Sequence, residues 1–166
     1  MNSSEQHFHT WMDSPIGRLL LIAQEQGLTA VYQITQSKEV APFLSLSNQT
    51  HPHLQCAQTQ LQAYFAGHLH QFTVPLFVNH GTEFQRQVWQ ALSTIPYGQT
   101  WTYAQLADCI GRPKAVRAVG AANGRNPLGI IVPCHRVIAS SGALQGYAGG
   151  LLNKQKLLHF EQKNSI

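Results

Sequence analysis

The stretch Val132-Pro133-Cys134-His135-Arg136-Val137-Ile138 places a cysteine directly before a histidine, within an otherwise largely apolar run. A free thiol has a pKa of about 8.5, and only its thiolate is a strong nucleophile. A nearby imidazole can take the proton of the thiol, and a carboxylate can orient that imidazole. Glu161 is one of only three acidic residues in the second half of the chain, which makes it a candidate for the orienting role.

Two interpretations of this Cys-His pair are open at the level of local sequence. Cys134 and His135 are either a nucleophile with its base or a buried core thiol beside a structural histidine. Neighbouring side chains on a strand point in opposite directions, so a reactive pair requires a bend in the backbone at this point. The surrounding sequence has to decide between the two.

Four helices are predicted in the second half of the chain, from apolar residues at helical spacing. Thr102 can cap the second helix, and Gly124 is a suitable C-cap for the third. A short turn containing Gly111 joins these two helices, as in a helix-turn-helix, although plain helical hairpins share the pattern. The helices are predicted over residues 82–95, 103–109, 114–123 and 151–162.

The first half combines strand and helix patterns. Two β-rich runs around Gly27 predict a hairpin within residues 9–35. A helix is predicted over 56–66, and residues 73–78 predict a short edge strand, because Pro75 interrupts them. Since His80-Gly81 marks the boundary between the two patterns, we expect an N-terminal domain over residues 1–80 and a C-terminal domain over 81–166.

The net charge of +4 is unevenly divided along the chain. Residues 81–166 carry nine lysine and arginine side chains against three acidic ones, whereas residues 1–80 carry two against four. An excess of positive charge attracts polyanions, above all nucleic acid. No run of about 18 apolar residues could span a bilayer, and the N-terminus has no secretory signal pattern, so we expect a cytoplasmic protein with no membrane partner.

Cysteine and histidine usage gives no metal-binding pattern. The three cysteines, Cys56, Cys109 and Cys134, share no CxxC spacing. Three His-x-His pairs begin at His7, His51 and His68, but no cysteine or carboxylate nearby completes a tetrahedral set. We therefore expect no metal, while a metal at one of these pairs is left open.

The stretch around Cys134 resembles the signature of the methylated-DNA–protein-cysteine methyltransferases, the O6-alkylguanine-DNA alkyltransferases. The resemblance extends over Ala115-Val116-Arg117-Ala118-Val119-Gly120-Ala121-Ala122-Asn123, Asn126-Pro127 and Gly146-Tyr147-Ala148-Gly149-Gly150, and so covers nearly all of residues 82–162. The first half fits the variable domain of the family. The resemblance implies an α+β fold, with a small N-terminal α/β domain like ribonuclease H and a mainly helical C-terminal domain with a winged-helix-like helix-turn-helix.

The resemblance also implies a role for each matching residue. Cys134 is the alkyl acceptor, His135 activates it through a water, Glu161 holds the histidine, and Asn126 ties together the turn before the cysteine. Four residues are implied to contact DNA, with Tyr103 helping to extrude the damaged nucleotide and donating to guanine N3, and Arg117 filling the space that the base leaves. The DNA contacts are Tyr103, Arg117, Arg112 and Ser140, and the alkyl pocket is lined by Tyr147 and Ala148.

The implied function is DNA repair by direct reversal, in which the alkyl group of O6-alkylguanine, and of O4-alkylthymine, moves irreversibly to Cys134. We expect a single-turnover methyltransferase that acts as a monomer on double-stranded DNA, without cofactor or metal. Ala148 stands where some members have serine, which removes one possible hydrogen bond to guanine O6. Two other classes are weighed: a damage sensor without transfer, which would lack a cysteine at position 134, and a cysteine hydrolase, which would need an oxyanion hole.

Overall fold

A computed structural model of the chain describes residues 6–165. The chain folds as two compact units, with the boundary between His80 and Gly81. Residues 1–5 and Ile166, which were expected to belong to the two domains, lie outside the described residues. The mixed α+β fold class is confirmed, with a small sheet in the first unit and a mainly helical second unit.

The first unit is built on a three-stranded antiparallel sheet. The strands are β1 (Phe8–Met12), β2 (Leu19–Gln24) and β3 (Gly27–Gln33), in the order β1-β2-β3. The predicted hairpin is therefore the β2-β3 part of a larger sheet, in which Trp11 pairs with Leu20 and Leu21 with Val31. The helices of this unit are α1 (Ser37–Val40), a 3-10 turn (Ala41–Phe43) and α2 (Pro52–Phe65).

Both edges of this sheet are occupied by loop segments. The backbone of His9 in β1 exchanges hydrogen bonds with Gln49, and the Asn48 side chain accepts from the Trp11 amide at 3.0 Å. On β3, Leu28 forms one parallel bridge with Leu76, in place of the strand predicted over residues 73–78. Pro75 lacks an amide proton, so the pairing cannot extend on the N-terminal side of this bridge.

The second unit packs helices around a buried aliphatic core. Helix α3 (Glu83–Leu92) packs against α5 (Val116–Gly124), and the indole of Trp89 donates to the Ala122 carbonyl at 2.8 Å. The other elements are β4 (Trp101–Thr102), α4 (Tyr103–Cys109), a 3-10 turn (Cys134–Arg136), β5 (Val137–Ile138) and α6 (Leu151–Asn164). Among the described residues, no helix is both long and apolar enough to cross a membrane.

Candidate active site around Cys134

A tight turn over residues 126–132 precedes the segment that contains Cys134. The Asn126 side chain bonds both ends of this turn, accepting from the Leu128 amide at 3.0 Å and donating to the Val132 carbonyl at 2.8 Å. Between these two contacts, Ile130 has a φ of 71°, which is a strained conformation for a β-branched residue. Because Ile130 is also fully buried, packing and the Asn126 contacts together hold the turn in this shape.

Cys134 begins a 3-10 turn that supplies the bend predicted for a reactive pair. Burial raises the pKa of its thiol. Hydrogen bonds from the Asn126 side chain and from backbone amides, together with the positive charge of Lys154, act in the opposite direction. The resting thiol is therefore protonated, and its reaction as a nucleophile requires a nearby proton acceptor.

His135 and Glu161 form a buried pair beside this thiol. The His135 Nε2 lies 2.7 Å from Oε2 of Glu161, on α6. Although burial opposes ionisation, the contacts with His135 and Arg136 hold the pKa of the Glu161 carboxyl well below its usual range. An ionised carboxylate accepts the Nε2 proton, so the neutral imidazole keeps the lone pair of Nδ1 free to act as a base.

Arg136 completes this cluster and was not singled out from the sequence. Its Nε donates to Oε1 of Glu161 at 2.7 Å, its Nη2 donates to Oε2 at 3.0 Å, and its Nη1 donates to the Ile95 carbonyl at 2.6 Å. The arginine is thus buried, and each of its three nitrogens donates to the Glu161 carboxylate or to the Ile95 carbonyl. Its position within the signature around Cys134 was the available signal.

Lys154 is a second site residue that was not predicted from the sequence. Its side chain is fully buried, and its Nζ donates to the carbonyls of Val137 and Gln145 at 2.5 and 2.7 Å. Burial lowers the pKa of this ammonium to about 8, and the nearby thiol of Cys134 acts in the opposite direction. Lysine is rarely buried completely, so a lysine on the buried face of α6 had no sequence signal of its own.

Tyr103 joins the site from the start of α4. Strand β4 pairs in parallel with β5, which brings the beginning of α4 beside the segment that follows Cys134. The Tyr103 hydroxyl donates to the Gln145 carbonyl at 2.9 Å, the same oxygen that Lys154 contacts. Burial, and then the charge of Cys134, raise the pKa of the Tyr103 phenol.

A cavity of about 360 Å³ opens beside Tyr103. Arg117 on α5 is exposed at this cavity. The next two residues after Gly146 are Tyr147, which is half-buried, and Ala148, which is exposed. The lining residues of the cavity are Tyr103, Val116, Arg117, Gly120, Gln145 and Gly146.

The remaining sequence-predicted site residues lie outside this cluster. Arg112 is exposed in the turn between α4 and α5, with its guanidinium 5.8 Å from the centroid of the Phe84 ring. Ser140 is exposed in the turn after β5. The structure thus brings Asn126 and Tyr103 close to Cys134 and pairs the adjacent His135 with Glu161, whereas Arg112 and Ser140 lie on the surface.

One of the three His-x-His pairs, His51 and His53, contacts groups of the first unit. Nδ1 of His51 accepts from the His53 amide at the start of α2, and its Nε2 lies 3.5 Å from Glu25. Within residues 6–165, no group of three or more His, Cys, Asp or Glu side chains is arranged to hold a metal ion.

Two family models match the chain, one for each unit. The ribonuclease-like domain of the 6-O-methylguanine DNA methyltransferases matches residues 7–78, and the DNA binding domain of the same family matches residues 83–163. The chain is thus matched over most of its length by one family.

Relatives and solved structures agree with these models. The chain is 49% identical to methylated-DNA–protein-cysteine methyltransferases of Mycolicibacterium paratuberculosis and Methanosarcina acetivorans, over 93% of this chain and 92% and 97% of those proteins. The O6-methylguanine methyltransferase structure of Mycobacterium tuberculosis superposes with a TM-score of 0.84 at 44% identity, covering 96% of this chain and 94% of that one. The structure of that organism's OGT in complex with DNA gives 0.84 at 46% identity, covering 95% and 94%. The chain therefore belongs to the methylated-DNA–protein-cysteine methyltransferase family, a family of transferases.

Proposed function

We propose that this protein repairs DNA by direct reversal, moving the alkyl group of O6-alkylguanine, and also of O4-alkylthymine, to the sulfur of Cys134. The observation that carries the proposal is the buried Cys134 thiol next to a His135–Glu161 pair in which Nδ1 of the imidazole is free to accept a proton. Family membership supplies the substrate class, and the site supplies a nucleophile with its base.

The transfer is a single displacement at the alkyl carbon. The imidazole of His135 takes the thiol proton, directly or through a water. The sulfur forms a bond to the alkyl carbon as the bond from that carbon to guanine O6 breaks, and the electron pair of that bond passes to the guanine. Tyr103 donates one proton at guanine N3, and the proton held by His135 passes through solvent to restore the Tyr103 phenol. Exchange with solvent moves the guanine proton from N3 to N1, so the products are a thioether and an unmodified base.

DNA binding is assigned to the helix pair α4–α5, used as a helix-turn-helix on double-stranded DNA. O6 of a paired guanine lies within the base stack, so the nucleotide has to be flipped out to reach Cys134. Arg117, which is exposed on α5 at the cavity beside Tyr103, is assigned to fill the gap left in the duplex. Arg112 and Ser140 are assigned to backbone contacts, and Tyr147 and Ala148 to the wall of the alkyl pocket.

The reaction uses no cofactor or metal, and each protein molecule reacts once. A thioether has no good leaving group, and none of the described residues of the site is arranged to cleave the bond between the sulfur and the alkyl carbon. We assign a monomeric protein, since all residues of the cluster around Cys134 come from one chain. We also assign it to the cytoplasm, as expected from the sequence.

Titration with excess methylated duplex DNA tests this proposal, read by intact mass and peptide mapping. We expect one methyl group per protein, on the peptide that contains Cys134. Repair well beyond one equivalent would point to turnover, as in a hydrolase, and binding without any mass increase would point to a damage sensor. Either result rejects the proposal.

A further inference from the structure

The carboxylate of Glu161 is shared between an imidazole and a guanidinium. Arg136 contacts both of its oxygens, at 2.7 and 3.0 Å, while His135 contacts one of them at 2.7 Å. All three side chains are buried, and they come from two elements, the turn at Cys134 and α6. A carboxylate held by two donors at this depth interacts strongly with the charge of each.

The second donor changes what the carboxylate does to the imidazole. A buried carboxylate that faced His135 alone would favour the imidazolium, because opposite charges stabilise each other at short range. Arg136 already supplies one positive charge to Glu161, so a second on His135 is less favourable. An imidazolium cannot accept the proton of a thiol, so this difference shifts the pH range over which a base is present.

We propose that Arg136 is a positioning residue for alkyl transfer, which holds His135 neutral by neutralising the carboxylate that the imidazole faces. This inference rests on the proposed function of Cys134. It assigns a task to the arginine of the signature, whose side chain contacts Glu161 rather than the thiol. In this arrangement Glu161 fixes which nitrogen carries the proton, and Arg136 limits the protons on the ring to one.

The other groups that face this cluster act in the same direction or stay neutral. Burial lowers the pKa of His135, and the positive charges of Arg136 and Lys154 lower it further, against the opposing effect of Glu161. Lys154 comes from α6 and binds backbone carbonyls instead of the carboxylate. Tyr97 lies under the guanidinium, 5.6 Å from it, and burial followed by Glu161 raises the pKa of its phenol, so this ring is uncharged at neutral pH.

The test compares Arg136→Gln with Arg136→Lys in the full chain. Glutamine can still donate a hydrogen bond to Glu161 but has no charge, whereas lysine keeps the charge and loses the two-pronged contact. Lys163→Gln removes a positive charge from an exposed position on the same helix as Glu161 and serves as the control. The readouts are the pH profile of transfer from free O6-benzylguanine and the titration of histidine by NMR, with the His135 signal identified by its loss in His135→Asn.

We expect the acidic limb of the transfer profile to move to higher pH in Arg136→Gln, with on the order of a tenfold loss of rate at the acidic end. Arg136→Lys should restore the wild-type limb even where it lowers thermal stability, and Lys163→Gln should leave it unchanged. The inference is overturned if a folded Arg136→Gln protein has the same acidic limb as wild type. It is also overturned if the acidic limb of Arg136→Lys lies at as high a pH as that of Arg136→Gln. In either case the effect of the variants would follow their stability and not their charge.

Nitrogen chemical shifts of the wild-type protein keep the inference testable if Arg136→Gln fails to fold. They should show Nδ1 unprotonated and Nε2 protonated at neutral pH, and a doubly protonated His135 overturns the inference. The proposed function fails separately, if wild-type protein takes no benzyl group at any pH. In that case the histidine titrations in wild type, Arg136→Gln and Arg136→Lys still decide whether the charge of Arg136 sets the charge of the imidazole.

Discussion

The thiol of Cys134 is surrounded by polar groups from different parts of the second unit. Asn126 reaches it from the preceding turn, and Lys154 acts on it from α6. Cys134 is buried, whereas Cys109 is exposed on α4. The most accessible of these thiols is therefore not the one proposed to react, and selectivity for Cys134 has to come from the site.

Replacing the thiol separates chemistry from DNA binding. Cys134→Ala should abolish alkyl transfer while leaving most of the affinity for duplex DNA, since phosphate contacts supply most of the binding free energy. Mass spectrometry after incubation with methylated duplex, and a binding titration at fixed salt, measure the two effects. Cys109→Ala is the matched control and should behave as wild type in both; persistent transfer by Cys134→Ala would move the chemistry to another cysteine.

The turn before the cysteine depends on one amide side chain. Asn126→Ala removes two hydrogen bonds inside a buried turn that also contains the strained Ile130, and each unpaired backbone group costs about 1–3 kcal/mol. We expect the free energy of unfolding to fall by about 2–6 kcal/mol and transfer to slow. Urea unfolding and single-turnover kinetics measure these losses. Asn48→Ala removes a side-chain contact to a backbone amide in the first unit and should leave the transfer rate unchanged.

Two helices of the second unit begin with the same capping arrangement. Thr82 accepts from the Gln85 amide and Thr102 from the Gln105 amide, each at 3.1 Å, and each glutamine side chain bonds back to the amide of its threonine. The second cap directly precedes Tyr103, so it fixes both the first turn of α4 and the backbone that carries this tyrosine.

The two caps can be compared by matched substitutions. Thr82→Ala and Thr102→Ala should each lower the free energy of unfolding by about 1 kcal/mol, because each leaves an N-terminal amide without its side-chain acceptor. Only Thr102→Ala should also slow transfer from duplex DNA, through Tyr103. Urea unfolding and the rate of duplex repair test this expectation, and an equal effect of both variants on the rate would contradict it.

Helix α5 carries the residue assigned to nucleotide flipping. Arg117→Ala should slow repair of duplex DNA far more than reaction with free O6-benzylguanine, because the free base needs no extrusion from a stack. Parallel single-turnover measurements on the two substrates give the ratio. Equal losses on both would mean that Arg117 supports the fold and not the DNA step. Arg125→Ala, at the exposed C-cap of the same helix, is the matched control.

Helices were easier to predict from this sequence than strands. The last three predicted helices of the second unit agree with α4, α5 and α6 to within about two residues, because apolar residues recur at helical spacing and Thr102 caps α4. The predicted C-cap at Gly124 is wrong, since α5 includes Gly124 and has Arg125 as its C-cap. The single bridge at Leu76 depends on Leu28, a partner distant in sequence, which local patterns do not contain. Strand β1 pairs with β2 across the short loop between Met12 and Leu19, although the sequence predicted only two strands there.

At the level of the whole molecule, the charge of the second unit is only partly available to a polyanion. Arg136 and Lys154 contribute to its positive excess, but both are buried and bound to acceptors within the fold. The sequence predicted the pairing of His135 with Glu161 through the family resemblance, and the structure contains that contact. The sequence alone could not show which positive side chains are exposed to DNA and which are buried within the fold, because burial is a property of the folded chain.

Two buried groups make the stability of the protein depend on pH. Burial lowers the pKa of His135 below its ordinary 6.5, so the unfolded chain binds this proton more readily and stability is lost as the pH falls below 6.5. Against the effect of burial, its pairing holds the pKa of Glu161 well below 4.5, so a second loss begins as the pH falls below 4.5. Urea unfolding of wild type across this range should show both losses.

Single substitutions assign the two losses to their groups. His135→Asn should remove the loss of stability that begins below pH 6.5, and Glu161→Gln should remove the loss that begins below pH 4.5. Each variant lacks the proton-binding group concerned. A wild-type free energy of unfolding that stays constant from about pH 7.5 to about pH 4 would contradict the assignment.

The place of α6 in the chain has a consequence for protein synthesis. A nascent chain leaves the ribosome from its N-terminus, and 26 positions separate His135 from the Glu161 carboxylate that orients it. Until α6 has emerged, the cysteine has neither its oriented base nor the ammonium of Lys154. An unfinished chain therefore carries an ordinary thiol, and the reactivity proposed for Cys134 appears only after the helices assigned to DNA binding have already been made.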